Sequence, residues 1–307
     1  TMVGITGTNG KTTVTTLTAL VLKNAGREVQ ACGNIGKPFV AIVDKMKKGS
    51  YAVVELSSFQ LYYSRRLRVQ VGVVLNVAPD HFDWHTGMAE YTRSKCKLYR
   101  YQTKDDIAVI NYRERAAIEP YLKGIKAQKV YFNVDRSVKN ANFDCVKQIG
   151  RALGVPQRVI DKTFREFKGI EHRLEFIATK EKITYINDSK STSPHSLEWA
   201  LNKFDKKLVL ICGGKNKGVS FRPLRDKVKE KVKALIVIGE AQEEIVKALG
   251  DCAPTVRAKT LKEALAKATA EAAAGDTVLL SPACASFDMF KNYEDRGRKF
   301  KELVRRV

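Results

Sequence analysis

The feature that most constrains the fold is the opening. A short apolar run, Met2 to Thr6, passes directly into Gly7-Thr8-Asn9-Gly10-Lys11-Thr12-Thr13, and a helical stripe of Val14, Leu17, Leu20 and Val21 follows until Asn24-Ala25-Gly26. A buried strand, a glycine loop and a helix in that order begin an α/β unit, because the glycines permit the tight turn and the helix packs back on the strand. In such a loop the backbone N–H groups and the helix N-terminus can cradle phosphate oxygens, Lys11 can neutralise the outer phosphates, and Thr12 can ligate Mg²⁺; the alternative is a Gly-rich turn before a helix with no ligand. The generic G-x-x-x-x-G-K-T pattern has glycine where this chain has Ile5, so the loop is a shortened form.

The alternation continues. Strands are expected at Tyr51 to Leu56, Val71 to Val77 and Ile107 to Asn111. After Phe167-Lys168-Gly169 a second series has strands at Ile183 to Ile186, Lys207 to Cys212, Ala234 to Ile238 and Thr277 to Leu280. Helices separate or follow them at Pro194 to Lys203, Ala241 to Leu249, Leu261 to Ala273 and Tyr293 to Arg306. This pattern predicts an α/β protein: a P-loop-type, mostly parallel sheet ATPase domain over residues 1–168, followed by a smaller Rossmann-like α/β domain over residues 169–307. The 307 residues leave room for two cores.

Charge narrows the partners. The 55 Lys and Arg against 33 Asp and Glu give +22, but the excess is spread over both halves and interleaved with acids, as from Asp226 to Lys233. That is a solvated, anion-friendly surface without the concentrated basic arm of a nucleic-acid binder. No run approaches the ~18 apolar residues of a membrane span, and no export signal opens the chain, so a cytoplasmic protein without membrane insertion is expected. Six cysteines lie far apart with no C-x-x-C pair, which fits a reducing compartment and neither zinc nor disulfides.

Other polar residues cluster after strands. Glu55, in Glu55-Leu56-Ser57-Ser58-Phe59-Gln60, is placed to hold a metal near the loop phosphates, or is a surface acid. Asp80-His81-Phe82-Asp83-Trp84-His85 follows the next strand; its i,i+4 histidines lack the H-E-x-x-H of a zinc site, and the phosphate loop favours Mg²⁺. Further on come Asn187-Asp188-Ser189-Lys190-Ser191-Thr192, Cys212-Gly213-Gly214-Lys215-Asn216-Lys217 and Ser281 to Asp288. In an open parallel sheet, ligands bind beyond the carboxyl ends of strands, so these loops should converge. Cys284 has no histidine beside it and reads as buried packing.

Together these segments resemble the Mur ligase family, most of all its D-glutamate-adding branch. The phosphate loop, Cys32-Gly33-Asn34-Ile35-Gly36, Glu55 to Leu61, Leu75-Asn76 with Asp80-His81, His172-Arg173, Asn187 to Lys190, and Leu280 to Asp288 with Lys291-Asn292-Tyr293 and Arg296-Gly297 recur in order. Folylpolyglutamate synthase and the sister ligases share the loop but not the last stretch. The resemblance implies a monomeric ATP-dependent ligase. By that resemblance ATP would phosphorylate the carboxylate of UDP-N-acetylmuramoyl-L-alanine, and the D-glutamate amine would displace phosphate from the acyl phosphate, a step in peptidoglycan precursor synthesis.

Roles follow by position. Gly7, Thr8, Asn9, Gly10, Lys11, Thr12 and Thr13 would hold ATP, with Arg173 and Asp188 as nucleotide contacts from the second domain. Two Mg²⁺ sites would involve Thr12, Glu55, His81 and a carbamylated Lys95 on the helix beginning near Met88. Lys11, Lys95, His81 and Glu55 would be the catalytic set. Lys190, Thr192, Lys217, Ser286, Phe287 and Tyr293 would form the D-glutamate pocket, and Asn34, Ser58 and His81 would face the muramoyl-alanine end. Two departures stand out: these 307 residues hold no counterpart of the family's N-terminal, uridine-diphosphate-holding domain, and its G-x-H-N-x-x-N segment is abbreviated. Phe132 to Asp135 runs almost directly to Lys139-Asn140-Ala141-Asn142, where Asn140 or Asn142 stands in for the ATP-contacting asparagine. The alternatives are a nucleotide-binding module with impaired catalysis and a ligase for another amino acid or acceptor.

Overall fold

A computed structural model describes residues 1–307 apart from Asp83 and Lys139. Those two members of the Asp80–His85 and Lys139–Asn142 segments therefore lie outside the described residues. The chain divides into two compact units, Thr1–Lys168 and Gly169–Val307. Among the described residues no helix is long and apolar enough to cross a membrane.

The first unit carries β1 (Met2–Thr6), β2 (Val29–Gly33), β3 (Tyr51–Glu55), β4 (Val71–Val74), β5 (Ile107–Asn111) and β6 (Gln128–Phe132). Its helices are α1 (Lys11–Asn24), α2 (Ser58–Tyr63), α3 (Met88–Cys96), α4 (Arg115–Ile118), α5 (Ala141–Ala152) and α6 (Gln157–Glu166). The strands pair in the order β2-β3-β1-β4-β5-β6, all parallel. Val3 and Ile5 of β1 pack with Val14, Leu17 and Val21 of α1 and Ile149 of α5, all at most 1% exposed. Each such side chain contributes roughly 1.5–3 kcal/mol by leaving water. Leu20 is only partly buried on that face, and Leu22 is buried instead. β1 and β4 are neighbours whose chains leave in opposite directions, towards β2 and β5, so the order reverses at the loop that follows β1. That is the position where open α/β sheets bind ligands.

The second unit carries β7 (Glu175–Lys180), β8 (Ile183–Asn187), β9 (Leu208–Gly213), β10 (Val232–Ile238), β11 (Thr255–Arg257) and β12 (Thr277–Leu280). Its helices are α7 (Pro194–Leu201), α8 (Arg225–Lys231), α9 (Gln242–Leu249), α10 (Leu261–Glu271) and α11 (Tyr293–Arg306). The order is β11-β10-β9-β12-β8-β7, parallel except for the β7–β8 hairpin. β9 is buried along its whole length with an apolar cluster on each face, as expected for a central parallel strand.

The mostly parallel α/β architecture matches the expected class, with differences in detail. β4 ends at Val74, not Val77: Leu75 N–H still bonds Thr6 O of β1 at 2.9 Å, and beyond it Asn76 is held on the phosphate loop by its side-chain bonds with Asn9. The strands β2, β6, β7 and β11 and the helices α2, α4, α5 and α6 are additional to those anticipated.

Candidate active site

The phosphate loop is fixed by the segment after β4. Asn76 Oδ1 accepts from Asn9 N–H at 2.8 Å while its Nδ2 donates to Asn9 O at 3.1 Å. Thr8 N–H donates to Asn76 O at 3.0 Å, and Thr8 Oγ1 accepts from Ala78 N–H at 3.0 Å and lies 3.1 Å from Tyr91 Oη. Gly10 sits at the N-cap of α1 with φ 84°, a left-handed conformation that favours glycine, and no side-chain cap occupies it. The helix N-terminus is thus left for an anion. A Cβ at Gly10 would lie 2.6 Å from Asn142 Oδ1, so the Asn142 amide rests on the loop. Asn140 does something else: its Oδ1 caps α5 by accepting from Asn142 and Phe143 N–H. Of the two candidate asparagines, Asn142 is the one at the loop.

Two ammonium groups converge on one carbonyl. Lys11 Nζ donates to Gly7 O at 2.9 Å and Thr8 O at 2.8 Å, and Lys95 Nζ donates to the same Gly7 O at 2.9 Å. Lys95 is 1% exposed, on α3, with its Nζ 4.3 Å from the Tyr91 ring centroid. Burial first, and the Lys11 charge second, push its pKa down to about 7. A helix lysine is ordinarily solvated; this one is enclosed because α3 packs its buried face, Tyr91, Thr92 and Lys95, inward. Thr12 is buried in the first turn of α1, and Thr13 beside it is half-buried.

Glu55 ends β3 and is 3% exposed. Its Oε1 accepts from Asn34 Nδ2 at 3.2 Å, while Oε2 is buried without a hydrogen-bond partner. A buried carboxylate oxygen left unpaired costs free energy that a cation would relieve, so Glu55 fits the Mg²⁺ role. Asn34 itself is exposed. Ser58 is the first residue of α2, which begins with the Ser57–Gln60 capping box. Its Oγ is 3.0 Å from His85 Nε2. His85 is 2% exposed, stacked beside Phe59, with Nδ1 3.6 Å from Glu90 Oε2. Burial lowers its pKa below the ordinary histidine value, against the opposing pull of Glu90. His81 is exposed on the preceding loop, 3.6 Å from Asp80 and edge-on to Phe59. Thus His85 joins Ser58 in the interior, and His81 stays at the surface. His85 and Tyr91 received no role from sequence; the His81/His85 spacing was the signal for the first, and nothing local marked the second.

In the second unit, Asp188 lies at the end of β8, 5% exposed. Its Oδ1 accepts from Leu174 N–H at 3.2 Å and its Oδ2 from Ser281 Oγ at 2.8 Å, yet burial dominates and raises its pKa to about 6. Arg173 is exposed on the adjoining turn. Lys190 and Thr192 are half-buried on the loop after β8, with Lys190 Nζ 5.4 Å from the ring of Tyr293, the first residue of α11. The loops after β9 and β12 are stitched by reciprocal Lys215 and Ala285 backbone bonds of 2.9 and 3.0 Å. Lys217 and Phe287 are exposed at their rims, and Ser286 is buried between. Cys284 is 1% exposed and burial pushes its thiol up to about 12, so it is inert packing.

The Mur ligase middle domain matches residues 5–157, and the Mur ligase glutamate ligase domain matches residues 172–284. The chain is 39% identical to UDP-N-acetylmuramoylalanine–D-glutamate ligase of Desulfitobacterium hafniense (strain Y51) over 99% of its own length and 75% of the relative's. It is 38% identical to the enzyme of that name from Aquifex aeolicus, covering 99% and 78%. The alignment to the first runs over 339 positions against 307 residues here, so the relative carries residues inside the aligned span that this chain lacks. Among solved structures, E. coli FolC in complex with ADP superposes with TM-score 0.74 at 16% identity, covering 99% of this chain and 89% of that one. MurF ligase from Thermotoga maritima in complex with ADP gives 0.73 at 16%, covering 100% and 81%. These two likenesses speak for the fold, and the curated relatives, of which this chain spans about three quarters, together with both domain matches, decide the family: the chain belongs to the Mur ligases.

Proposed function

We propose that this chain is the ATP-dependent ligase that joins D-glutamate to UDP-N-acetylmuramoyl-L-alanine in the cytoplasm, working as a monomer through an acyl phosphate. The observation that carries it is the Lys11 ammonium held on Gly7 O and Thr8 O beside an uncapped helix N-terminus, with the buried Lys95 amine on the same Gly7 O. That is a site for a polyphosphate, and the names of the relatives supply the acceptor and the amino acid.

The residues divide the work. Gly7 to Thr13 hold the ATP phosphates by backbone N–H groups, with Lys11 leaving its carbonyl partners to neutralise the γ-phosphate as it transfers. Asn142 borders the loop at Gly10, and Arg173 with Asp188 receives the nucleoside. Thr12 and Glu55 would hold one Mg²⁺, and His81 with a carbamylated Lys95 the second; Mg²⁺ bound there would supply charge neutralisation for the transferring phosphoryl group. With its pKa lowered to about 7, Lys95 has about half of its amine uncharged at neutral pH. Its Nζ adds to CO₂ and releases a proton, which replaces a cation by the anionic oxygens a metal prefers. Asn34 and Ser58, the latter held by His85, face the muramoyl-alanine carboxylate with His81. Lys190, Thr192, Lys217, Ser286, Phe287 and Tyr293 fix the two carboxylates of D-glutamate and leave its amine free to attack.

The test is phosphate release with ATP and each of several amino acids, with and without the sugar nucleotide. Release that requires both D-glutamate and the sugar nucleotide supports the proposal. Release with another amino acid in preference replaces the substrate, and ATP binding without any release favours a binding module.

A further inference from the structure

Arg296 is the largest fully buried side chain of the described residues, at 0% exposure. It lies in the first turn of α11, where the helix dipole disfavours a cation, and α11 turns Phe300 and Val304 inward along the same face. Its hydrogen bonds all end on neutral oxygens. Nε donates to Ser189 Oγ at 3.0 Å and Nη2 to Ser189 O at 2.8 Å and Cys284 O at 3.2 Å, while Nη1 donates to Ala285 O at 3.4 Å. Ser189 in turn donates its hydroxyl to Tyr293 O at 2.8 Å. The loop after β9 closes on the same group: a Cβ at Gly214 would stand 3.2 Å from Nη1. Burying a guanidinium against carbonyls, with no carboxylate among its hydrogen-bond partners in the described residues and Asp288 acting on it through charge alone, is expensive. The arrangement lies where three strand-end loops meet.

Each of those loops carries residues already assigned to the amino acid: Lys190 and Thr192 after β8, Lys217 after β9, and Ser286 and Phe287 after β12. We propose that Arg296 is the positioning residue of the amino-acid pocket, a buried cation that ties the three loops into one rigid rim and holds a fixed positive charge beneath an anionic substrate. The proposal rests on the D-glutamate reading for its kinetic consequence, but the tie itself is independent of it. Arg296 touches no substrate. Its effect passes through Ser189, Cys284 and Ala285, and the pKa of about 10 that burial imposes leaves it charged at neutral pH.

The experiment uses the full chain with Arg296→Met and Arg296→Lys, and two readouts. Amide hydrogen exchange in residues 187–192, 213–217 and 283–288 should quicken about tenfold or more in Arg296→Met, the loss of one charged hydrogen bond or more, with residues 1–168 unchanged. The KM for D-glutamate should rise about tenfold or more while the KM for ATP stays within about twofold. Arg296→Lys, which keeps the charge and part of the donor set, should fall between wild type and Arg296→Met in both. Unchanged exchange in the three loops overturns the tie, and so does Arg296→Lys no better than Arg296→Met. A fall in kcat with both KM values unmoved overturns the positioning role. If the wild-type chain forms no product with D-glutamate, the substrate reading falls, and loop exchange in the Lys and Met variants still decides the tie.

Discussion

Replacing Lys95 by methionine should make the folded chain more stable while removing activity. The side chain is 1% exposed and its pKa falls from the ordinary 10.5 to about 7. Between pH 7 and 10.5 the unfolded chain therefore binds this proton and the folded chain does not, so stability rises with pH across that window. Below pH 7 both states hold the proton and the full cost of the buried charge is present, roughly 5 kcal/mol at ~1.4 kcal/mol per tenfold. Methionine has similar length, carries no charge, and leaves Gly7 O its other donor, Lys11. Allowing about 1 kcal/mol for the lost hydrogen bond, Lys95→Met should gain on the order of 4 kcal/mol at pH 6 and well under half of that at pH 9. The assay is urea unfolding in CO₂-free buffer, read by Trp84 fluorescence in a Trp199→Phe background so that the first unit is followed alone. No gain at pH 6, or the same gain at both pH values, would refute the reasoning that Lys95 is a buried, destabilised ammonium.

Three other outcomes are expected. Lys11→Ala should weaken ATP binding by about 1.5–3 kcal/mol, roughly 10 to 150-fold, in calorimetry with Mg²⁺ present, because the phosphates lose their nearest cation; equal affinity would contradict the phosphate-loop assignment. The two asparagines should separate: Asn140→Ala should cost about 1 kcal/mol of stability as a lost cap with ATP affinity kept, and Asn142→Ala should weaken ATP with stability kept. Lys217→Ala and Ser286→Ala should each lower kcat/KM for D-glutamate about 10 to 150-fold and spare ATP affinity; unchanged kinetics in both would remove them from the pocket.

The opening strand, loop and helix were legible because every signal there is local: apolar run, glycines and helical stripe fall within about twenty residues. Edge strands were not. β2 has exposed Gln30 and Ala31, and β7 alternates around exposed Phe176 and Thr179, so neither presents an apolar run. The site divides in the same way. The loop glycines and Lys11 announce their chemistry in sequence, whereas Lys95 has the local pattern of an ordinary helix lysine and was marked only by the family resemblance; its enclosure against Gly7 comes from the packing of α3. His85 and Arg296 are of the latter kind: their roles come from contacts with Ser58, Ser189 and Cys284, residues distant in sequence. Tertiary packing, not local pattern, encloses these groups and sets their contacts.

The central claim is that this chain activates a substrate carboxylate as an acyl phosphate. Transfer of labelled oxygen tests it most directly: UDP-N-acetylmuramoyl-L-alanine carrying ¹⁸O in its free carboxylate is incubated with the chain, ATP, Mg²⁺ and D-glutamate, and the released phosphate is analysed by mass. Attack of the carboxylate on the γ-phosphorus, followed by C–O cleavage when the amine adds, leaves one carboxylate oxygen on the phosphate. The account predicts one ¹⁸O per phosphate together with one new amide per phosphate; unlabelled phosphate released with amide formation would contradict it.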